Sequence, residues 1–182
     1  MIYADTSFIA SAYGKDVNTA AARSYLLREE PTLPFGFLHW PELTRFLWIT
    51  QPEVADKIWD LVSEDLMERK KLAAHEADAN RVSRRAAGLL RHYCPRWQKL
   101  RCLDTLHVAY AVEENFKTFL SFDIASYQRV LASSQKLKVW PPLTESEMKL
   151  LKQLPCPPTP LTKTPRRPSA QSRRPIKSTP KP

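Results

Sequence analysis

Met1-Ile-Tyr-Ala-Asp-Thr-Ser7 holds the change of pattern on which the fold reading turns. Four apolar residues are too few to make the face of a helix but enough for a buried strand. Asp5, Thr6 and Ser7 carry the short oxygen-bearing side chains that satisfy free N–H groups at a helix start. The stretch therefore predicts a strand over residues 1–4 that hands the chain to a helix beginning at Phe8 or soon after. The same handover recurs downstream. Phe35 to Leu38 reads as a strand before a helix that starts at Pro41, where the missing N–H costs nothing, with Leu43, Phe46 and Leu47 on its apolar face. Residues 53–71 carry Val54, Ile58, Leu61, Val62 and Met67 at helical spacing. Leu72 to His75 is a short strand, and Asp78 caps a helix with Val82, Ala86, Leu89 and Tyr93 on one side. Asp104 is the expected N-cap of the helix bearing Leu106, Ala109 and Val112. Thr118 to Phe122 and Leu137 to Trp140 complete the strands, with a helix through Tyr127, Val130 and Leu131 between them. Strands alternating with helices, without tight hairpin turns, predict an α/β fold: a three-layer α/β/α sandwich around a mostly parallel sheet.

Composition divides the chain. Nine of the 16 prolines fall in residues 155–182, which carry seven Lys or Arg, no Asp or Glu, and Leu161 and Ile176 as their only aliphatic side chains beyond alanine. Such a segment cannot bury a core. The remaining residues hold 21 basic and 19 acidic side chains, so most of the formal charge of +9 belongs to the tail. With Pro141-Pro142 closing the last strand, the domain is expected to span residues 1–142 and residues 143–182 to be a largely disordered basic tail.

Several classes of function are excluded or disfavoured. Cys94, Cys102 and Cys156 are odd in number and lack CxxC spacing, which argues against a disulfide framework or a zinc finger. Three separated glycines cannot form a phosphate-cradling loop. No apolar run approaches a membrane span, and Asp5 stands where a signal peptide needs basic and then apolar residues, so a cytoplasmic setting is expected.

Four acids remain distinctive by position. Asp5 and Asp123 directly follow strands, and Glu42 and Asp104 sit at helix N-termini. In a parallel sheet those places share one rim. Carboxylates gathered there repel unless a cation offsets them, and oxygen ligands select Mg²⁺ or Mn²⁺, whose chemistry suits phosphodiester hydrolysis.

The strings MIYADTSFIAS, WPELTRFLW, CLDTLHVAYAVEE, TFLSFD and LKVWPP resemble the PIN-domain family, particularly its VapC-like toxin ribonucleases, from Met1 to about Pro142. The resemblance implies a Mg²⁺- or Mn²⁺-dependent endoribonuclease whose Asp5, Glu42, Asp104 and Asp123 hold metal and position the attacking water. Thr6, Ser7 and Ser121 match its supporting hydroxyl positions. It also implies the toxin of a toxin–antitoxin pair, a homodimer and inhibition by a small antitoxin, with Phe46, Trp48 and Trp59 as interface candidates or core residues. Arg45, Lys99 and Arg101 flank the acids and could hold RNA phosphates or simply be solvated. His107, one helical turn after Asp104, is a weaker ligand candidate, and His39, His75 and His92 show no ligand spacing. Alternatives are a catalytically weak RNA- or protein-binding module of the same fold and a haloacid-dehalogenase-like phosphatase. The phosphatase is disfavoured because Ser7 occupies the position of its second Asp. If the tail contacts nucleic acid through its cations, removing residues 155–182 will weaken RNA affinity and flatten its salt dependence; equal affinity and slope in the truncated chain will refute that role.

Overall fold

The computed structural model describes residues 1–154, and the disorder expected of residues 155–182 lies outside them. Five strands and eight helices follow one another as β1 (Ile2–Ala4), α1 (Thr6–Tyr13), α2 (Thr19–Glu29), β2 (Leu33–Phe35), α3 (His39–Thr50), α4 (Ala55–Met67), β3 (Leu72–Ala74), α5 (Ala79–Tyr93), α6 (Cys102–Glu113), β4 (Thr118–Leu120), α7 (Gln128–Ser134), β5 (Lys138–Trp140) and α8 (Glu145–Lys152). A 3-10 turn, Pro52–Val54, leads into α4.

All strand pairings are parallel. β4 lies between β1 and β5, with Tyr3 opposite Phe119 and Phe119 opposite Val139. β2 and β3 pair separately, Leu33 opposite Leu72. β2 runs beside β1 without forming a ladder with it. The imidazole of His39 bridges the seam: Nε2–H donates to the Ala4 carbonyl at 2.9 Å, and Nδ1 accepts the Gly36 N–H at 3.0 Å. Burial holds the His39 pKa down at about 3, so the ring is neutral near pH 7. Because the folded-state pKa is depressed, the stability that this neutral ring supports is lost as pH falls from about 6.5 toward 3.

Strand alternation builds the three layers. Tyr3 and Phe119 point to one face of the sheet, where they join Val82, Leu89, Val108 and Val130 of α5, α6 and α7. Ala4 and Leu120 point to the other, against Phe8, Leu43, Leu47 and Val62 of α1, α3 and α4. Both cores are closed, with Tyr3, Ala4, Phe119 and Leu120 all fully buried. A sheet covered on both faces has little room for polar alternation, which is why its strands read as short apolar runs.

Several boundaries differ from the sequence expectations: α1 begins at Thr6, directly after its Asp5 cap, rather than at Phe8, and β4 ends at Leu120 rather than Phe122. β2 is Leu33–Phe35, so the helix after it begins at His39 rather than Pro41 and Glu42 falls in its first turn. α6 begins at Cys102; Arg101 occupies the cap position, and Asp104 stands in the first turn. The domain also does not close at Pro142. Thr144 caps α8 and shares a capping box with Glu147, while Leu150, Leu151 and Leu154 pack against the α5–α6–α7 core. Short capping signals after a double proline are easily read as tail.

Arg129 secures that extra helix. Its side chain is 2% exposed, donates to the carbonyls of Ser121, Pro141 and Pro142, and lies 3.0 Å from Glu147 Oε1 through Nε. The approach to Glu147 is off the hydrogen-bond line and acts as a buried ion pair. Breaking such a pair leaves an uncompensated charge, so Glu147→Ala is expected to lose about 3–5 kcal/mol of stability in urea denaturation. The exposed Glu145→Ala is expected to change it by less than about 0.5 kcal/mol.

Candidate active site

The rim at the carboxyl ends of β1 and β4 collects the acids. Asp5 N–H donates to the Leu120 carbonyl at 2.9 Å, extending the β1–β4 ladder by one residue and setting Asp5 beside the turn that carries Asp123. Asp5 is the N-cap of α1, with Oδ1 accepting from Phe8 N–H at 2.9 Å and the Ser7 hydroxyl at 2.7 Å. Ser7 Oγ also accepts the Phe122 N–H at 3.0 Å, which ties the two strand ends together. The Ser121 hydroxyl accepts Asp123 N–H and donates to Gln128 Oε1, while Gln128 Nε2–H reaches the Asp104 carbonyl. Asp123 Oδ1 accepts from Ala125 and Ser126, fixing the turn before α7.

Asp5, Glu42, Asp104 and Asp123 all line one cleft of about 370 Å³, together with Thr6, Ser7 and Arg101. They do so although the first and last lie 118 positions apart in the chain. Their environments differ. Asp5 is 3% exposed, and burial raises its pKa against the pull of its hydrogen bonds. Burial and then the Asp123 carboxylate push Asp104 up to about 6. Asp104 Oδ2 is buried with no hydrogen-bond partner.

Glu42 shifts the other way. Burial would raise it, but hydrogen bonds from His107 and Thr6 outweigh that and hold its pKa below the usual carboxylate value. His107 Nε2 lies 2.6 Å from Glu42 Oε2, and the Thr6 hydroxyl donates to the same oxygen. A carboxylate acceptor requires the imidazole proton on Nε2, which leaves Nδ1 to accept from the Tyr3 hydroxyl at 2.7 Å. Burial raises the Tyr3 pKa well above its ordinary value, so Tyr3 keeps that proton. Both His107 nitrogens are occupied, which makes the residue an orienter of Glu42 rather than a free ligand.

The basic candidates separate. Arg101 lines the cleft, Arg45 is exposed on α3, and the Lys99 ammonium sits 5.9 Å from the centre of the Tyr127 ring. Phe46 lines the cleft, while Trp59 packs edge-on against the half-exposed Trp40 and Trp48. Asp16 and Gln128 also line the cleft and were not distinguished in the sequence. Asp16 accepts from the Ser11 hydroxyl at 2.7 Å, a turn contact with no periodic signal. Cys94 and Cys102 are free thiols, and neither lines the cleft.

The donor set is all oxygen, and the unpartnered Asp104 Oδ2 is the type of atom a hard divalent cation would satisfy. Among the described residues, however, no three His, Cys, Asp or Glu side chains form a ready-made metal cage. The residues fit such an ion in kind, without being drawn together around one. No protein-family model matches the chain, and no curated protein matches it.

The raised Asp104 pKa gives a signed expectation. Its folded form holds the proton more tightly than the unfolded chain, so raising the pH from about 4 to about 6 progressively destabilises the metal-free protein. Asp104→Asn is therefore expected to melt higher than the parent at pH 7 in EDTA, with the gain vanishing below about pH 4. Thermal melts across that range will test it; a variant that melts lower at pH 7 will refute it.

Proposed function

We propose that this chain is a PIN-type endoribonuclease that hydrolyses RNA phosphodiester bonds with Mg²⁺ or Mn²⁺. The observation that carries the reading is the meeting of Asp5, Glu42, Asp104 and Asp123 in one cleft at the strand ends. Asp5, Asp104 and Asp123 would hold the ion. When bound, it would acidify water and offset charge on the phosphoryl oxygens.

The protein's own groups supply the rest. Glu42, kept ionised by the hydrogen bonds from His107 and Thr6, would add a fixed negative charge to the set that holds the ion. Tyr3 holds the His107 ring in the tautomer that serves Glu42, and Ser7 fixes the Asp5 carboxylate against the second strand end. Arg101 is the cation in the cleft suited to a substrate phosphate. Ser7 spends its hydroxyl on Asp5 and Phe122, a structural task unlike that of the acid a phosphatase would need there.

The same resemblance leads us to propose a toxin that forms a homodimer and is restrained by a small antitoxin reaching the acidic cleft. The half-exposed Trp40 and Trp48 on α3 offer an apolar surface together with Trp59 of α4. Among the described residues no helix is long and apolar enough to cross a membrane.

Purified full-length protein is expected to cleave RNA only with Mg²⁺ or Mn²⁺, and Asp5→Asn to lower the rate by about 100-fold or more. Mn²⁺ should also raise the melting temperature of the parent but not of Asp104→Asn. Cleavage in EDTA, or full activity of Asp5→Asn, will overturn the assignment.

A further inference from the structure

Residues 79–103 carry seven of the 21 Arg and Lys side chains outside the tail and none of the 19 acids. Two of the seven have a structural task. Arg81 and Arg85 pair with Glu113 at 2.9 and 2.6 Å, which clamps the start of α5 to the end of α6. The two helices therefore run antiparallel, and the far end of α5 lies at the end of α6 that carries Asp104. The other five, Arg84, Arg91, Arg96, Lys99 and Arg101, are all exposed, and among the described residues none is ion-paired with a carboxylate.

Their order leads to the acidic cleft. Arg84 and Arg91 stand on the exposed side of α5, about 10 Å apart along its axis. Arg96 follows in the connecting loop. The Lys99 ammonium lies over the ring of Tyr127, just past the Asp123 turn, and Arg101 lines the cleft itself. Cations in a row with no acid among them hold a positive potential over this side of the molecule and attract a polyanion.

Gly88 lies between Arg84 and Arg91. A glycine inside a helix costs stability relative to alanine, and here a Cβ would meet no atom of the described residues within 4 Å, so packing does not require it. Together with the exposed Ser83 and Ala87 it leaves a low strip between the arginines. That strip lacks the exposed aromatic and aliphatic anchors that hold a protein partner or a lipid surface. Guanidinium groups flanking small residues suit a phosphodiester backbone laid close to the helix. The cleft, at about 370 Å³, is at the small end of ligand sites, so it takes the scissile phosphate and its neighbours and leaves the rest of an RNA outside. We propose that the face of α5 bearing Arg84, Gly88 and Arg91 is a second RNA-binding surface, which holds the substrate backbone beyond the cleft, with Arg96 and Lys99 between them. The inference rests on the ribonuclease reading and gives it a substrate class, an RNA long enough to run from the cleft onto α5.

Fluorescence anisotropy of an unstructured RNA of about 12 nucleotides bound to the full chain in EDTA, where metal-dependent cleavage does not compete, reads this surface across a salt series. Arg84→Ala with Arg91→Ala should weaken binding about fivefold or more and flatten the slope of log K against log salt by about 1.4, the share of two single-strand phosphate contacts. Gly88→Gln should weaken binding about threefold or more while melting no lower than the parent. With Mn²⁺, the arginine pair should slow cleavage of the same RNA at subsaturating concentration about fivefold and leave cleavage of a trinucleotide unchanged. Unchanged affinity and slope in the arginine pair, unchanged affinity in Gly88→Gln, equally tight binding of polyglutamate of matched charge, or an equal loss of trinucleotide cleavage will overturn the proposal. The expected affinity differences without cleavage of either RNA will refute the ribonuclease reading and leave the RNA surface standing.

Discussion

The parallel pairing of β1 with β4 governs the placement of everything at the acidic rim. With Ala4 opposite Leu120, the two strands end level, and the Asp5 N–H closes one further bond to the Leu120 carbonyl. The next residues of both segments must then leave the sheet at the same point. Ser7 exploits that coincidence by giving its proton to Asp5 and taking one from the backbone of Phe122. A slip of β1 by one residue against β4 would turn Tyr3 out of one core and Ala4 out of the other. The buried faces thus enforce the register, and the register enforces the site.

Electrostatics at the rim are unequal by construction. Asp5 and Asp104 are held where ionisation is unfavourable, while Glu42 is given two donors and ionises readily. Groups pushed in opposite directions within one cleft leave Glu42 the readily ionised carboxylate and Asp5 and Asp104 the ones whose charge the cleft disfavours. The division depends on a chain of buried contacts from Tyr3 on the central strand through His107 on α6 to Glu42 on α3. Three elements far apart in sequence thereby set the state of one carboxylate.

The C-terminal part of the domain shows how a buried cation can extend a fold. Arg129 gathers carbonyls from the ends of β4 and β5 and meets Glu147 from α8. Its contact with the Ser121 carbonyl lies two residues from Asp123, so the helix beyond Pro142 is connected mechanically to the acidic rim. The boundary expected at Pro142 overlooks a local signal, the Thr144–Glu147 capping box ahead of Leu150, Leu151 and Leu154, whereas the buried Arg129–Glu147 pair that holds this helix has no local sequence signal.

The alternation of strands and helices, the parallel sheet and the Asp5 cap were legible in the sequence, because apolar runs and capping side chains act over a few neighbouring residues. So was the placement of the four acids at one rim, since each stands where a strand ends or a helix begins. The roles of His107, Gln128, Asp16 and Arg129 were not legible: each follows from a contact whose partner lies on another segment. The helix boundaries at His39 and Cys102 also escaped, because packing determined where those helices begin. Local chemistry in the sequence determined which elements form and which residues can carry charge at their ends. Tertiary structure decided which charges share a cleft and which are paired, because burial and proximity arise only when distant segments meet.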